Sequence, residues 1–281
     1  MRLVTFDTPT LASRAGLLTG DRVIDLQAVG LPGNMREILA GDLERVASLS
    51  AERAAVSHPL SAVHLGPPIP DPQKIVCVGQ NYRDHCHEQH VQIPGQPIVF
   101  AKFATCLAGP RDNILLPKIS QQIDFEIELA FVIGRGGKHI PEERALDHIA
   151  GYMVFNDVTA RDVQFADKQW VRGKSFDTFA PCGPALVTRD EIPDPQNLKL
   201  ELAVNGAVMQ SSNTNQMIFG VAHLISFLSR SLTWTPGDIV ATGTPPGVGV
   251  FRKPPVFLKA GDRVTATVEK LGSLENICVA E

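Results

Sequence analysis

Residues 124–129 read Asp-Phe-Glu-Ile-Glu-Leu, three carboxylates alternating with three apolar side chains. On an extended strand a period of two sends Phe125, Ile127 and Leu129 to one face and Asp124, Glu126 and Glu128 to the other. Carboxylates crowded on one surface repel each other, and shared coordination of a hard cation such as Mg2+ or Mn2+ removes that penalty. The bland alternative is a half-exposed strand whose acids face water. A second apolar run, Tyr152 to Asn156, gives way to a turn at Asp157, and strand ends are where β scaffolds commonly carry their sites.

Three further groups have the chemistry to serve such a centre. Residues 81–90 hold His85, His87 and His90 among acids and a cysteine. Zinc is the rival reading, but His85, Cys86 and His87 are too adjacent to converge, and no second ligand pair follows at a familiar spacing. A plain polar helix is the other rival. His85 and Glu88 instead meet across one helical turn, where the glutamate can orient the imidazole or polarise a water. Lys174 follows Asp157 at a distance that leaves it free to bind a carboxylate or meet the charge of an enolate. Its role is expected to lie in catalysis and not in folding. The run Arg172-Gly-Lys-Ser fails as a phosphate loop, because position 168 is lysine where glycine is required. Arg161 and Gln164 stand at helical spacing beyond Asp157, and the planar fork of Arg161 suits a carboxylate; a surface salt bridge and a solvated amide are the plain readings.

Four motifs in one order resemble the fumarylacetoacetate hydrolase family, and its domain-containing group in particular. They are Asp124-Phe-Glu126-Ile-Glu128, Asn156-Asp157-Val-Thr-Ala-Arg161-Asp-Val-Gln164, Gly173-Lys174-Ser-Phe-Asp-Thr, and Gly243-Thr244-Pro with Gly247-Val-Gly249. Each is weak alone and together they are specific. The resemblance implies that Glu126, Glu128 and Asp157 hold Mg2+, Mn2+ or sometimes Ca2+. It implies that His85 and Glu88 sit on a lid and activate water, and that Arg161, Gln164 and Thr244 contact substrate oxygens. Gly79 to Asn81 and Pro94-Gly95 would be the lid's hinges. The segment VGQNYRDH holds no clear equivalent of the aspartate that supplies a fourth ligand in fumarylacetoacetate hydrolase proper. The implied activity is metal-dependent hydrolysis of carbon–carbon bonds in 2-oxo acid or 1,3-dicarbonyl, acylpyruvate-like substrates. The alternative is oxaloacetate decarboxylation or tautomerisation, or sugar-acid dehydration, at the same metal–enolate site; a non-catalytic metabolite-binding protein is the remaining class. Family members usually form homodimers.

The elements that must position these residues are mostly strands. From Lys74 onward, short runs rich in β-branched residues are punctuated by Gly, Pro, Asn and Asp, with a helix near His223–Ser231. The expected class is β-rich α+β, a mixed β-roll or sandwich spanning 71–281 and preceded by a small unit over 1–70. That unit reads as a β-meander followed by a helical rhythm from Met35 to Val56, with the proline-rich HLGPPIPDPQK as a linker. A net charge of −4 offers no basic field for nucleic acid or anionic lipid. No apolar stretch reaches a membrane span, and the start lacks the layout of a signal peptide. Five scattered cysteines without a CxxC pair read as reduced thiols, and a cytoplasmic enzyme is expected.

Overall fold

The computed structural model describes residues 1–49 and 56–281. Strands β1 (Arg2–Thr8), β2 (Leu11–Thr19) and β3 (Arg22–Asp25) form the expected meander, β2 turning into β3 through Gly20-Asp21. Helices α1 (Met35–Gly41) and α2 (Leu43–Ala47) follow, and the Asn34 side chain caps α1 by accepting from the amides of Arg36 and Glu37. Residues 50–55 of the expected helical stretch lie outside the described residues. Strands β4 (Ser57–Pro59) and β5 (His64–Leu65) complete the segment. The proline-rich stretch that follows is packed rather than tethered: the Thr5 hydroxyl donates to the Pro68 carbonyl at 2.8 Å, and Ile69 is buried.

The rest of the chain runs through β6 (Ile75–Gly79), α3 (Arg83–Glu88), β7 (Ile98–Lys102), β8 (Leu107–Ala108), β9 (Ile114–Leu116), β10 (Ile123–Asp124), β11 (Ile127–Ile133) and β12 (Ile149–Asn156). It continues through β13 (Thr159–Ala160), α4 (Arg161–Asp167), α5 (Val171–Lys174), β14 (Ala180–Thr188), β15 (Lys199–Val204), β16 (Ala207–Asn213), α6 (Val221–Ser229), β17 (Ile239–Ala241), β18 (Arg263–Val268) and β19 (Gly272–Ala280). The architecture is β-rich α+β, as expected. The main sheet runs β4-β3-β2-β1-β14-β12-β11-β17-β6-β7 and the second runs β16-β15-β18-β19-β9. Pairing of β1 with β14 carries the main sheet without interruption from the N-terminal segment into the remainder.

Every residue of β11 and β12 is buried, so these central strands are covered on both faces and read as apolar runs instead of alternating. Strands β15, β18 and β19 of the second sheet pack against β11, β12 and β14. Phe131, fully buried in mid-β11, is one of the largest side chains in this core. Phe131→Ala is expected to cost about 3–5 kcal/mol, read as a lower urea midpoint at unchanged slope. A loss below about 1 kcal/mol would contradict the packing of the central strands.

Candidate metal centre and active site

The expected single acidic strand is broken. Strand β10 ends at Asp124 and β11 begins at Ile127, so Phe125 and Glu126 form a link between two strands, and both faces are buried, unlike the half-exposed strand of the bland alternative. The link is fixed to the end of β12: the Glu126 amide donates to Asn156 Oδ1 at 3.0 Å, and the Asp157 amide donates to the Glu126 carbonyl at 2.8 Å. Carboxylate oxygens of Glu126, Glu128 and Asp157 thereby lie within 4.8 Å of one another. Asp124 goes elsewhere. It accepts from Arg161 Nε at 2.8 Å and from the amides of Gly249 and Val250 at 2.6 and 3.0 Å.

Three cations share this dry space. Lys174 Nζ reaches Glu126 at 2.8 Å, Asp157 at 2.7 Å and the Thr159 hydroxyl at 2.9 Å. Lys102 Nζ takes the other oxygen of Asp157 at 2.6 Å, and an Arg161 Nη2 lies 2.6 Å from Glu126. Burial opposes the charge on Glu126, but Lys174 and Arg161 overcome it and hold the carboxyl well below its usual range. Burial likewise opposes the Lys174 ammonium, and Asp157 with Glu126 raises its pKa regardless. Four buried carboxylates thus face three buried cations, and Glu128 is the one with no ammonium or guanidinium partner. Burial, then the charges of Asp157 and Glu126, push it well above the ordinary carboxylate range. Its one backbone donor is the Gly243 amide at 2.7 Å. A converging set of hard oxygen donors, one of them a carboxyl that lacks a cationic partner and is held toward its protonated form, fits a divalent cation held by Glu126, Glu128 and Asp157.

Burial of Lys174 between Glu126 and Asp157 gives it a place in the charge balance of the core that the sequence reading did not assign, although each carboxylate keeps a second cation. Lys102 escaped the sequence reading altogether. A signal was present: on β7, Ile98, Phe100 and Lys102 share the inward face while Val99, Ala101 and Phe103 are exposed, so the lysine falls in register with the buried side.

On α3, His85 is buried and its Nδ1 lies 2.9 Å from Glu88 Oε2, the expected dyad. The second Glu88 oxygen accepts from the Gly247 amide at 2.8 Å. One loop, 243–250, therefore offers backbone amides to three acids: Gly243 to Glu128, Gly247 to Glu88, and Gly249 with Val250 to Asp124. Gly243 has φ +100°, and a side chain there would also strike Asn81, which explains the Gly-Thr-Pro turn. His87 and His90 are exposed, and among the described residues the acidic triad is the one group of metal-ligating side chains that converges. Asp84, in the segment searched for a fourth ligand, accepts from the Ser212 hydroxyl at 2.6 Å instead.

The start of the α3 segment is anchored rather than hinged. Asn81 is buried, and its side chain donates to the carbonyls of Phe219 and Thr242 and accepts from the Phe219 amide. Arg161 and Gln164 start α4, with Nη1 donating to Gln164 Oε1 at 3.1 Å. The Thr244 hydroxyl donates to the Ile127 carbonyl and accepts from Gln210, so it ties the 243–250 loop to β11. A cavity of about 140 Å³ gathers His85, Glu126, Glu128, Arg161, Gln164, Lys174 and Thr244, with Phe100, Trp170 and Phe251 as aromatic walls.

Asp157→Asn keeps the size of the ligand but removes one of three anionic donors, so calorimetric titration with Mn2+ should show strongly weakened binding. Unchanged affinity would remove Asp157 from the centre. Lys174→Met should lower stability by about 3–5 kcal/mol in the presence of chelator, measured by urea denaturation, since Glu126 and Asp157 lose their shared ammonium. Stability within about 1 kcal/mol of the parent would show that the ion pairs contribute nothing net.

Residues 74–279 match the fumarylacetoacetate (FAA) hydrolase C-terminal family. The chain is 52% identical over 288 residues to oxaloacetate tautomerase FAHD2A, mitochondrial, of Bos taurus, covering 98% of this chain and 91% of that protein. The solved fumarylacetoacetate hydrolase from psychrophilic Exiguobacterium antarcticum superposes with a TM-score of 0.87 at 36% identity, over 100% of both chains. Maleylpyruvate hydrolase from Sphingobium sp. SYK-6, in complex with manganese (II) ion and pyruvate, superposes with a TM-score of 0.83 at 32% identity, over 100% of this chain and 99% of that one. Two expectations change. The cytoplasmic assignment is corrected, because the relatives from Bos taurus, Xenopus laevis and Homo sapiens are mitochondrial proteins. Five buried free cysteines do not tell one reducing compartment from another. The relatives' names fit the alternative reading, oxaloacetate tautomerisation, better than the carbon–carbon hydrolysis placed first in the sequence reading; the acids and the dyad suit both. A match over most of the length, in one fold and one motif order, makes this chain an enzyme that belongs to the fumarylacetoacetate hydrolase family.

Proposed function

We propose that the protein is an oxaloacetate tautomerase, interconverting the keto and enol forms of a short 2-oxo dicarboxylic acid. The observation that carries the reading is a single acid–base dyad facing a buried acidic centre in a cavity with room for a small acid alone. High identity to oxaloacetate tautomerases along nearly the whole chain supports it. A cation held by Glu126, Glu128 and Asp157 would supply Lewis-acid polarisation of the substrate's 2-oxo group. Hard oxygen donors favour Mg2+ or Mn2+, and the manganese complex of the maleylpyruvate hydrolase is consistent with that choice.

The remaining steps belong to the side chains. Glu88 engages Nδ1 of His85 and so fixes the tautomer in which Nε2 carries the lone pair. His85 Nε2 takes a proton from C3 of oxaloacetate, breaking the C3–H bond as the C2=C3 double bond forms, and returns the proton to the C2 oxygen. Lys174 meets the negative charge that develops on that oxygen. The Gln164 oxygen is held by Arg161, which leaves its NH2 group to donate to a substrate carboxylate. Aromatic walls limit the water that would divert the reaction to bond cleavage.

The catalytic unit is proposed to be a homodimer. Val99 and Ala101 on β7, with Phe103 just beyond its end, form an exposed apolar stripe at the edge strand of the main sheet, which supports a second copy there. Acylpyruvate hydrolysis is the second reading, favoured by the likeness to a maleylpyruvate hydrolase structure that holds pyruvate. Enol disappearance from oxaloacetate, followed by ultraviolet absorbance with Mn2+ present, should be accelerated by the protein and slowed ~10²-fold or more by His85→Ala. Acylpyruvate cleavage without enol interconversion would replace tautomerase with hydrolase. Release of carbon dioxide at the rate of enol loss would replace it with decarboxylase.

A further inference from the structure

We propose that Trp170 sets the length of the acid that the site accepts, favouring 2-oxo dicarboxylates of four or five carbons over longer ones. The proposal rests on the tautomerase reading and extends it to specificity. The cavity, about 140 Å³, is well below the roughly 300–1,000 Å³ typical of ligand pockets. Volume alone does not say which side chain imposes the limit. The contacts of the aromatic walls do. Lys174 Nζ, bonded to Glu126 and Asp157, lies 5.0 Å from the centre of the Phe100 ring, and that ring lies 5.3 Å edge-on from the Trp170 ring. The indole therefore stands within about 10 Å of the ammonium and lines the cavity together with Phe100.

The wall has no room to retreat. Trp170 leans on Gly79 at the end of β6 so closely that a Cβ at Gly79 would sit 2.5 Å from Cζ3 of the indole. Gly79 thus provides room for the ring, which is a better account of this glycine than a hinge. From behind, the indole is placed by α5, which it precedes. Gly173 of that helix packs against α4 so tightly that a Cβ there would lie 2.7 Å from the Gln164 amide nitrogen. Lys174 closes the same four-residue helix, and its amide donates to the Trp170 carbonyl at 3.1 Å, so the ammonium and the wall come from one turn of chain. Gln80 and Gln89 line the cavity beside Gly79, with Gln80 Nε2 donating to Gln89 Oε1 at 3.5 Å. That contact leaves the Gln89 NH2 group to receive a distal carboxylate. On this proposal a short diacid places its distal carboxylate at this amide, and a longer chain meets the indole that lines the same cavity.

The plain alternative is that Trp170 merely covers the sheet end, in which case its loss would affect all ligands alike. Parent, Trp170→Phe and Trp170→Ala proteins would be titrated calorimetrically in Mn2+ buffer with 2-oxoglutarate, 2-oxoadipate and 2-oxopimelate, and assayed for enol loss from oxaloacetate. In the parent, affinity should fall by ~10-fold or more for each methylene beyond 2-oxoglutarate. Trp170→Ala should flatten that series, with Trp170→Phe intermediate, while kcat/KM for oxaloacetate falls through KM. The same steep series in both variants would overturn the proposal. If circular dichroism shows Trp170→Ala unfolded, the Phe variant decides, an unchanged series again being fatal. Absent oxaloacetate turnover with a steep parent series would defeat the tautomerase reading and leave Trp170 as the length gate. Turnover with a flat parent series would do the reverse.

Discussion

Four carboxylates and three cations buried together would be ruinous unless each charge were held in place, and much of the molecule's local geometry follows from that requirement. Asp157 is held between two lysines, one from β7 and one from α5. Glu126 is held by Lys174 and Arg161, and Arg161 is in turn oriented by Asp124. The 243–250 loop then ties this cluster to the His85–Glu88 dyad through backbone amides, which carry direction without adding another titrating group. Covering β11 and β12 on both faces keeps the cluster dry, so each ion pair acts in a medium where it is strong. Glu128, left short of a cation, is the point at which the protein's own charges stop balancing.

Local pattern made part of this legible. Apolar runs located most of the strands but not β16 or β19, and the spacing of Glu126 and Glu128 with Asp157 at a strand end suggested an acidic site that the resemblance then assigned to a metal. The 3.6-residue period placed Arg161 beside Gln164 and His85 beside Glu88. What local pattern does not carry is which distant segments meet. Asp124 has the same type and spacing as the two glutamates, yet a break in the strand turns it toward Arg161. Lys102 reaches the site through the β7–β6–β17–β11 order of the sheet, a sequence of neighbours that no window of residues contains. Gly79 likewise reads as flexible in isolation, and only the ring of Trp170 explains it.

The acidic centre has little power to choose among reactions of 2-oxo acids, since polarising a carbonyl serves proton transfer, decarboxylation and bond cleavage alike. Selection must come from groups that face the rest of the substrate. Here these are an imidazole with one orienting carboxylate, amides from glutamine side chains, and aromatic walls. Function in this fold is therefore divided: the strands and the 243–250 loop hold the charge, and the α3 and α4–α5 segments supply the discrimination.

The place of β1 in the main sheet bears on how the chain reaches its native state. Strand β1 lies between β2 and β14, with β5 pairing only its Phe6–Asp7 end, so the Arg2–Leu3 part of its outer edge stays unpaired until residues near 186–187 have emerged. Strand β17 joins β11 to β6 later still. High contact order of this kind slows folding and leaves an open strand edge on the partly made protein. A nascent chain halted before β14 would carry the N-terminal meander with an exposed β1 edge, the state in which such proteins are captured by chaperones or by one another.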